Sequence, residues 1–192
     1  MRRKIFKEDI INAGRDLMFV NGYNATGIKD ITNKVGIPKG SFYNHFSSKE
    51  EFGLEVLRNY MSNGLNIHKN HLLNTSKSPT QRIRDFYEGN IQEYKKVLEF
   101  KMGCMMGNFS TEMADVNESF RILLDQGFDE QEQVIIECLK EAQSQSEIDE
   151  QTDVELLGSS IINGWHGALV RMKASATAKP LEDFKKYFLA NL

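Results

Sequence analysis

Cysteine, proline and long apolar runs are scarce in this 192-residue chain, and each scarcity excludes something. The two cysteines, Cys104 and Cys138, form no C-x-x-C pair and no metal-ligand spacing, so the pattern fits a reducing compartment. His68 and His71 stand three apart, but no further ligands cluster with them, so no metal site is expected. The three prolines, at 38, 79 and 180, leave room for long helices between them. The longest uncharged run, Leu156–Val170, is too short and too polar to span a bilayer. The basic start, Met1-Arg2-Arg3-Lys4-Ile5-Phe6, meets Lys7, Glu8 and Asp9 at once, with no apolar stretch of a signal peptide. A cytoplasmic protein without a membrane partner is expected. No nucleophile–base pair, glycine-rich nucleotide loop or metal set is found, which argues against an enzyme and against a cofactor.

What is present is the composition of a globular chain: 40% hydrophobic and 27% charged residues. The net charge of −3 is unevenly spread. Residues 1–60 hold ten Lys/Arg against seven Asp/Glu, and residues 61–192 hold fourteen against twenty. A basic head on an acidic body can hold DNA at one end while the body avoids it.

Helical periodicity dominates, and the fold class expected is all-α, with no strand and no repeat. Ile5, Ile10, Ile11, Ala13, Leu17, Met18 and Phe19 mark a first amphipathic helix, which Asn21-Gly22 stops. Thr26 offers a hydroxyl to cap the next helix, with Ile28, Ile31 and Val35 on its apolar side. Gly36 closes that helix, and Ile37-Pro38 leads to a short third one with Phe42 and Phe46 on one face. Ser47-Ser48-Lys49-Glu50-Glu51 starts a fourth helix reaching about Leu73. Further helices are predicted from Ile83 to Leu98, over about Asn117–Gln145, Val154–Ala174 and Leu181–Leu189. The glycines of Met102–Asn108 interrupt the pattern, which resumes near Phe109.

Residues 28–46 therefore read as helix, glycine turn, helix. A recognition helix buries one face in its own domain and presents the other to the major groove. Phe42 and Phe46 supply the buried face; Ser41, Tyr43, Asn44 and His45 bear hydrogen-bonding groups on or beside the other. Lys39 and the bare backbone of Gly40 stand at the start of this helix, suited to close approach of a phosphate. Thr26, Lys29 and Lys49 stand at other helix starts, where they too could grip phosphates.

The run Ala13-Gly14, Phe19, Gly22-Tyr23, Ala25-Thr26-Gly27-Ile28, Ile31, Val35-Gly36-Ile37, Lys39-Gly40-Ser41-Phe42-Tyr43, His45-Phe46 and Lys49-Glu50 closely resembles the DNA-binding head of the TetR family of repressors. The resemblance implies an all-α homodimer on a palindromic double-stranded operator, with a divergent C-terminal domain that binds a small-molecule inducer. It implies also that Tyr43, His45 and Lys49 hold the DNA backbone. The domains expected are a helix-turn-helix head over 1–58 and a sensing and dimerisation body over 59–192. The fourth helix runs through both and is expected to carry a signal from one to the other.

In the body, Val154, Leu157, Ile161, Trp165, Ala168 and Met172 form one stripe, and Gly158, Ser159, Ser160, Gly164 and Gly167 are small for a helix. Small residues suit close helix approach, so this helix and the last are the expected dimer interface, with packing inside one chain the alternative. Cys104 sits at a glycine-rich junction, where Lys101 and helix-start amides are expected to favour its thiolate. Gly103-Cys104 with Phe109-Ser110-Thr111-Glu112 resembles a subgroup of the family typified by the NemR repressor. That resemblance implies that Cys104 answers electrophiles or oxidants and that Lys173 stabilises its thiolate. Tyr94, Met105, Phe109 and Trp165 are candidates to line a ligand pocket. Cys138 lies on an apolar face and reads as core. Two alternatives stay open: a repressor of a non-covalent hydrophobic ligand with Cys104 merely structural, and a helical protein-interaction module.

Overall fold

The computed structural model describes residues 5–192; the basic start Met1–Lys4 lies outside the described residues. Every regular element in them is helical: α1 (Lys7–Asn21), α2 (Ile28–Val35), α3 (Lys39–Tyr43), α4 (Lys49–Leu72), α5 (Pro79–Lys96), α6 (Met105–Met113), α7 (Glu118–Ser144), α8 (Val154–Ser175) and α9 (Lys179–Phe188), then a 3-10 turn at Leu189–Asn191. No helix among them is long and apolar enough to cross a membrane. The chain divides into two compact units. One takes the described residues of Met1–Asn63 together with Cys104–Asp125; the other takes Gly64–Gly103 and Gln126–Leu192. The division cuts α4 after Asn63 and α7 after Asp125.

The first unit is built by caps and by phenylalanine. Asp9 accepts a 2.9 Å bond from the Phe6 amide and so holds the start of α1. At the end of α2, Gly36 adopts φ +77°, and its amide and that of Ile37 both donate to the Thr32 carbonyl. This turn aims the chain into α3. Ser48 accepts from the Glu51 amide at 3.0 Å, and the Glu51 carboxylate accepts from the Ser47 amide at 2.7 Å, so the serine-rich restart of α4 forms as expected. The rings of Phe42, Phe46 and Phe52 meet at centroid distances of 4.8–5.2 Å and are at most 1% exposed. Phe52 lies so close to Gly14 of α1 that no Cβ fits there.

Three details differ from expectation. Thr26 does not cap α2: Gly27 holds that position, and the Thr26 hydroxyl donates inward to the Gly22 carbonyl at 2.7 Å. Phe46 is not on α3, which ends at Tyr43; it is buried from the turn beyond. Helix also resumes at Met105, ahead of Phe109, because Cys104 takes the extended N-cap conformation and Gly107 continues the helix.

The second unit has its own aromatic centre. Tyr87 of α5, Trp165 of α8 and Phe184 of α9 pack at 5.1–5.3 Å and tie the three helices together. Two glycines assigned by sequence to a dimer contact are used within the chain. Gly158 faces Ile136 and Gly164 faces Phe188, each with no room for a Cβ. Arg82 is 3% exposed; its guanidinium donates to the Leu72 carbonyl at 2.8 Å and pairs with Glu141 at 2.6 Å. It thus satisfies the last carbonyl of α4. Arg82→Leu leaves that carbonyl unpaired and should lower the unfolding free energy by about 1–3 kcal/mol in urea denaturation; an unchanged midpoint and slope would remove Arg82 from the fold's essential contacts.

Candidate nucleic-acid interface and sensor residues

α3 has only five residues, and its orientation follows from Phe42 being wholly buried. At 100° per residue, Gly40 lies about 160° and Tyr43 about 100° from Phe42, whereas Lys39, in the first turn, lies only about 60° away. All three are exposed, as are Asn44 and His45 in the turn that follows, while Ser41 is half-buried. Tyr43 is 48% exposed although its ring lies edge-on to Phe42. A Cβ built on Gly40 meets nothing within 4 Å, so the chain's own packing does not require glycine there. Lys29 is also exposed.

Two of the sequence candidates are held differently. Thr26 is 1% exposed and turns its hydroxyl inward. Lys49 is half-buried: its ammonium lies 4.5 Å from the centre of the Tyr23 ring and 3.4 Å from the Asn24 carbonyl. Burial draws its pKa below the ordinary lysine value, and the Glu112 carboxylate opposes that shift.

Glu112 was no sequence candidate for this region. Its carboxylate accepts from the amides of Asn24 at 2.8 Å and Tyr23 at 3.2 Å, in the loop between α1 and α2. The one sequence signal is its place: an acid in the last turn of α6, where the helix dipole disfavours it, needs a partner elsewhere.

The sensor candidates fall in both units. In the first, Met105 and Phe109 are wholly buried, and Phe109 meets Tyr23 and Phe120 edge-on at 5.7 and 5.9 Å. Cys104 is half-buried at the N-cap of α6, its Sγ 3.8 Å from the Tyr60 hydroxyl. Burial pushes its thiol above the ordinary value, outweighing the amides of Gly107 and Met106 and the Tyr60 hydroxyl. The expected thiolate is therefore corrected: the donors are present, but desolvation of the charge is larger. Lys101 pairs with Glu99 at 3.2 Å on the surface.

In the second unit, the Tyr94 hydroxyl donates to the Gly103 carbonyl at 2.9 Å, and the Lys173 side chain lies against Gly103. Trp165 is 8% exposed within the aromatic centre. Cys138 is fully buried with its thiol pushed up to about 11, as core cysteines are. His68 and His71 each turn Nδ1 to the carbonyl four residues back in α4. No group of three His, Cys, Asp or Glu among the described residues could hold a metal.

With this geometry in place, likeness to known proteins becomes informative. Residues 10–56 match the family described as bacterial regulatory proteins, tetR family. Residues 79–188 match the tetracyclin repressor-like C-terminal domain. The chain is 30% identical to the HTH-type transcriptional repressor DhaR of Mycobacterium sp. (strain GP1), over 96% of this chain and 90% of that one. It is 24% identical to the HTH-type transcriptional repressor NemR of Escherichia coli, over 92% and 88%. A crystal structure of a TetR regulatory protein from Rhodobacter sphaeroides superposes with a TM-score of 0.88 at 28% identity, covering 96% and 97% of the two chains. These relatives are transcriptional regulators rather than enzymes.

His166 generates a pH prediction. Its ring meets Phe128 at 4.9 Å, and burial, assisted by His68, lowers its pKa from 6.5 to about 4. The unfolded chain then binds a proton that the folded chain refuses. Stability intact above pH 6.5 should fall as pH drops toward 4. His166→Leu should flatten that acid limb in denaturant titrations at stepped pH; an equal acid loss in the variant would refute this assignment.

Proposed function

The chain belongs to the tetR family of bacterial regulatory proteins, and from that premise we propose that it is a cytoplasmic repressor, binding a palindromic operator as a homodimer and leaving it when a small molecule occupies the C-terminal domain. The observation that carries this reading is the division of labour on α3 and the turn after it. Phe42 and Phe46 anchor the segment, while Lys39, Tyr43, Asn44 and His45 are exposed, and no hydrogen bond or ion pair among the described residues ties up their side chains. Asn44 and Ser41 read base edges; Lys29, Lys39, Tyr43 and His45 hold phosphates, and Gly40 admits the backbone closely. Lys49 sits beside them as a partly buried cation. Thr26 is left out of this set because its hydroxyl is committed inward.

Two such heads need to lie about one DNA turn apart, roughly 34–36 Å, and so require a second subunit. The outer side of α8 and α9 supports that role. Leu156, Val170 and Tyr187 are 60–70% exposed, and a groove of about 570 Å³ runs between Leu156, Leu157, Tyr187 and Phe188. A second subunit that covers this groove would bury its apolar lining.

For the signal, the raised thiol pKa of Cys104 favours a non-covalent ligand over an electrophile, because the thiolate is the reacting form. α4 begins in one unit and ends in the other, which suits it to pass the signal on.

Selection from a random duplex pool tests the whole reading: a palindromic sequence should emerge, and a chain that enriches nothing defeats the proposal. On the selected duplex, Lys39→Ala should weaken binding and lower the slope of log affinity against log salt by about 0.9. Asn44→Ala should cost about 1–3 kcal/mol on that duplex and little on random DNA. Equal losses on both would reassign Asn44 to the phosphate backbone. Cys104→Ser should bind DNA and respond to ligand as the parent does; loss of the response would restore the reactive cysteine.

A further inference from the structure

Glu112 lies outside the DNA-facing surface, yet it bonds to the backbone of the head. It stands in the last turn of α6, and its carboxylate accepts from the two consecutive amides of Tyr23 and Asn24. Those residues form the loop that joins α1 to the helix-turn-helix. The fit is close from several sides. Gly22 takes φ +83° against the carboxylate, and a Cβ there would collide with it. The Thr26 hydroxyl closes the same loop onto the Gly22 carbonyl. The Tyr23 ring is clamped between Phe109 of α6, Phe120 of α7 and the Lys49 ammonium. Lys49 in turn reaches the Asn24 carbonyl. The loop that sets the start of α2 is therefore held on one side by a carboxylate of α6 and on the other by a cation of α4.

We propose that Glu112 is a positioning residue for operator recognition: its carboxylate fixes the Gly22–Thr26 loop, and any displacement of α6 is passed through it to α2 and α3. The inference rests on the repressor reading above and names a contact that, beside α4, couples the head to the rest of its unit. Cys104 is the N-cap of α6 and Glu112 its last residue but one, so a shift at one end of this nine-residue helix is delivered at the other. Charge-assisted bonds to two amides are directional, so a displaced carboxylate loses both.

The sign of the expected effect separates positioning from simple electrostatics. Glu112→Gln removes a negative charge beside Lys49, which by charge alone would tighten binding to phosphates. As a latch, the glutamine fails, because its NH2 group opposes one of the amide donors. The test compares parent, Glu112→Gln and Glu112→Asp chains by fluorescence anisotropy. The probes are the duplex that the parent selects from a random pool and a random duplex of the same length, each over a salt series. Amide exchange is read at Tyr23 and Asn24. Glu112→Gln should weaken the selected duplex by roughly five- to a hundredfold, the range of ordinary coupling between sites. It should leave random-duplex affinity unchanged or tighter, keep the parent's salt slope, and speed exchange at both amides. Glu112→Asp keeps the charge but not the reach and should share the loss on the selected duplex; should the glutamine variant not fold, as read by circular dichroism, the aspartate variant carries the same comparison.

Faster exchange at Tyr23 and Asn24 with undiminished affinity for the selected duplex would overturn the inference and leave Glu112 a local support of α6. A parent chain that selects no duplex would overturn the repressor reading beneath it, and the inference with it.

Discussion

Everything proposed at the DNA-facing surface depends on the burial of Phe42. A five-residue helix has no stability of its own, because the cost of nucleating it is not recovered over so few hydrogen bonds. It exists because Phe42, Phe46 and Phe52 exclude water together, each side chain contributing about 1.5–3 kcal/mol of transfer free energy. Once Phe42 is inside, the helical rotation leaves Gly40 and Tyr43 outside, and Lys39 is exposed at the first position of the helix. Recognition and folding are thus two consequences of one side chain's position. The Gly36 turn sets where α3 begins, and Gly14 sets how closely α1 approaches Phe52.

The segment before α6 is held differently. Glu99, Phe100 and Met102 all adopt left-handed backbone, at φ +48°, +61° and +72°. Each such residue costs about 1–2 kcal/mol, so surrounding contacts must compensate. The Phe100 amide donates to the Tyr94 carbonyl at 3.0 Å, and the Tyr94 hydroxyl donates to Gly103 at 2.9 Å. The strain lies immediately before Cys104 in the chain.

Electrostatics decided two matters against their simplest reading. The donors around Cys104 are those that favour a thiolate, yet the desolvation of the charge outweighs them and raises the thiol's pKa. Lys49 has the right place for a phosphate contact, but its ammonium is already engaged with the Tyr23 ring and the Asn24 carbonyl. Both residues are of the type the chemistry asks for; their depth in the protein modifies what they do.

Periodicity made most of the fold legible. The helices from α1 to α5 and from α7 to α9 follow from apolar spacing, the Gly36 stop and the serine-rich restart at Ser47–Glu51, all of which are local signals. The exposure of Gly40 and Tyr43 was equally legible, because one buried phenylalanine in a short helix dictates where they point. Contacts between residues far apart in the chain were not legible. Nothing near Thr26 announces that its hydroxyl turns inward to Gly22. Nothing near Gly158 or Gly164 says that Ile136 and Phe188 occupy the space beside them. The carboxylate of Glu112 finds its two amides 88 and 89 residues away. Sequence alone determines where this chain is helical and which faces are apolar, since those depend on neighbours within a turn or two. Tertiary structure decides which polar group meets which and which charge is desolvated, because these depend on where distant segments come to rest.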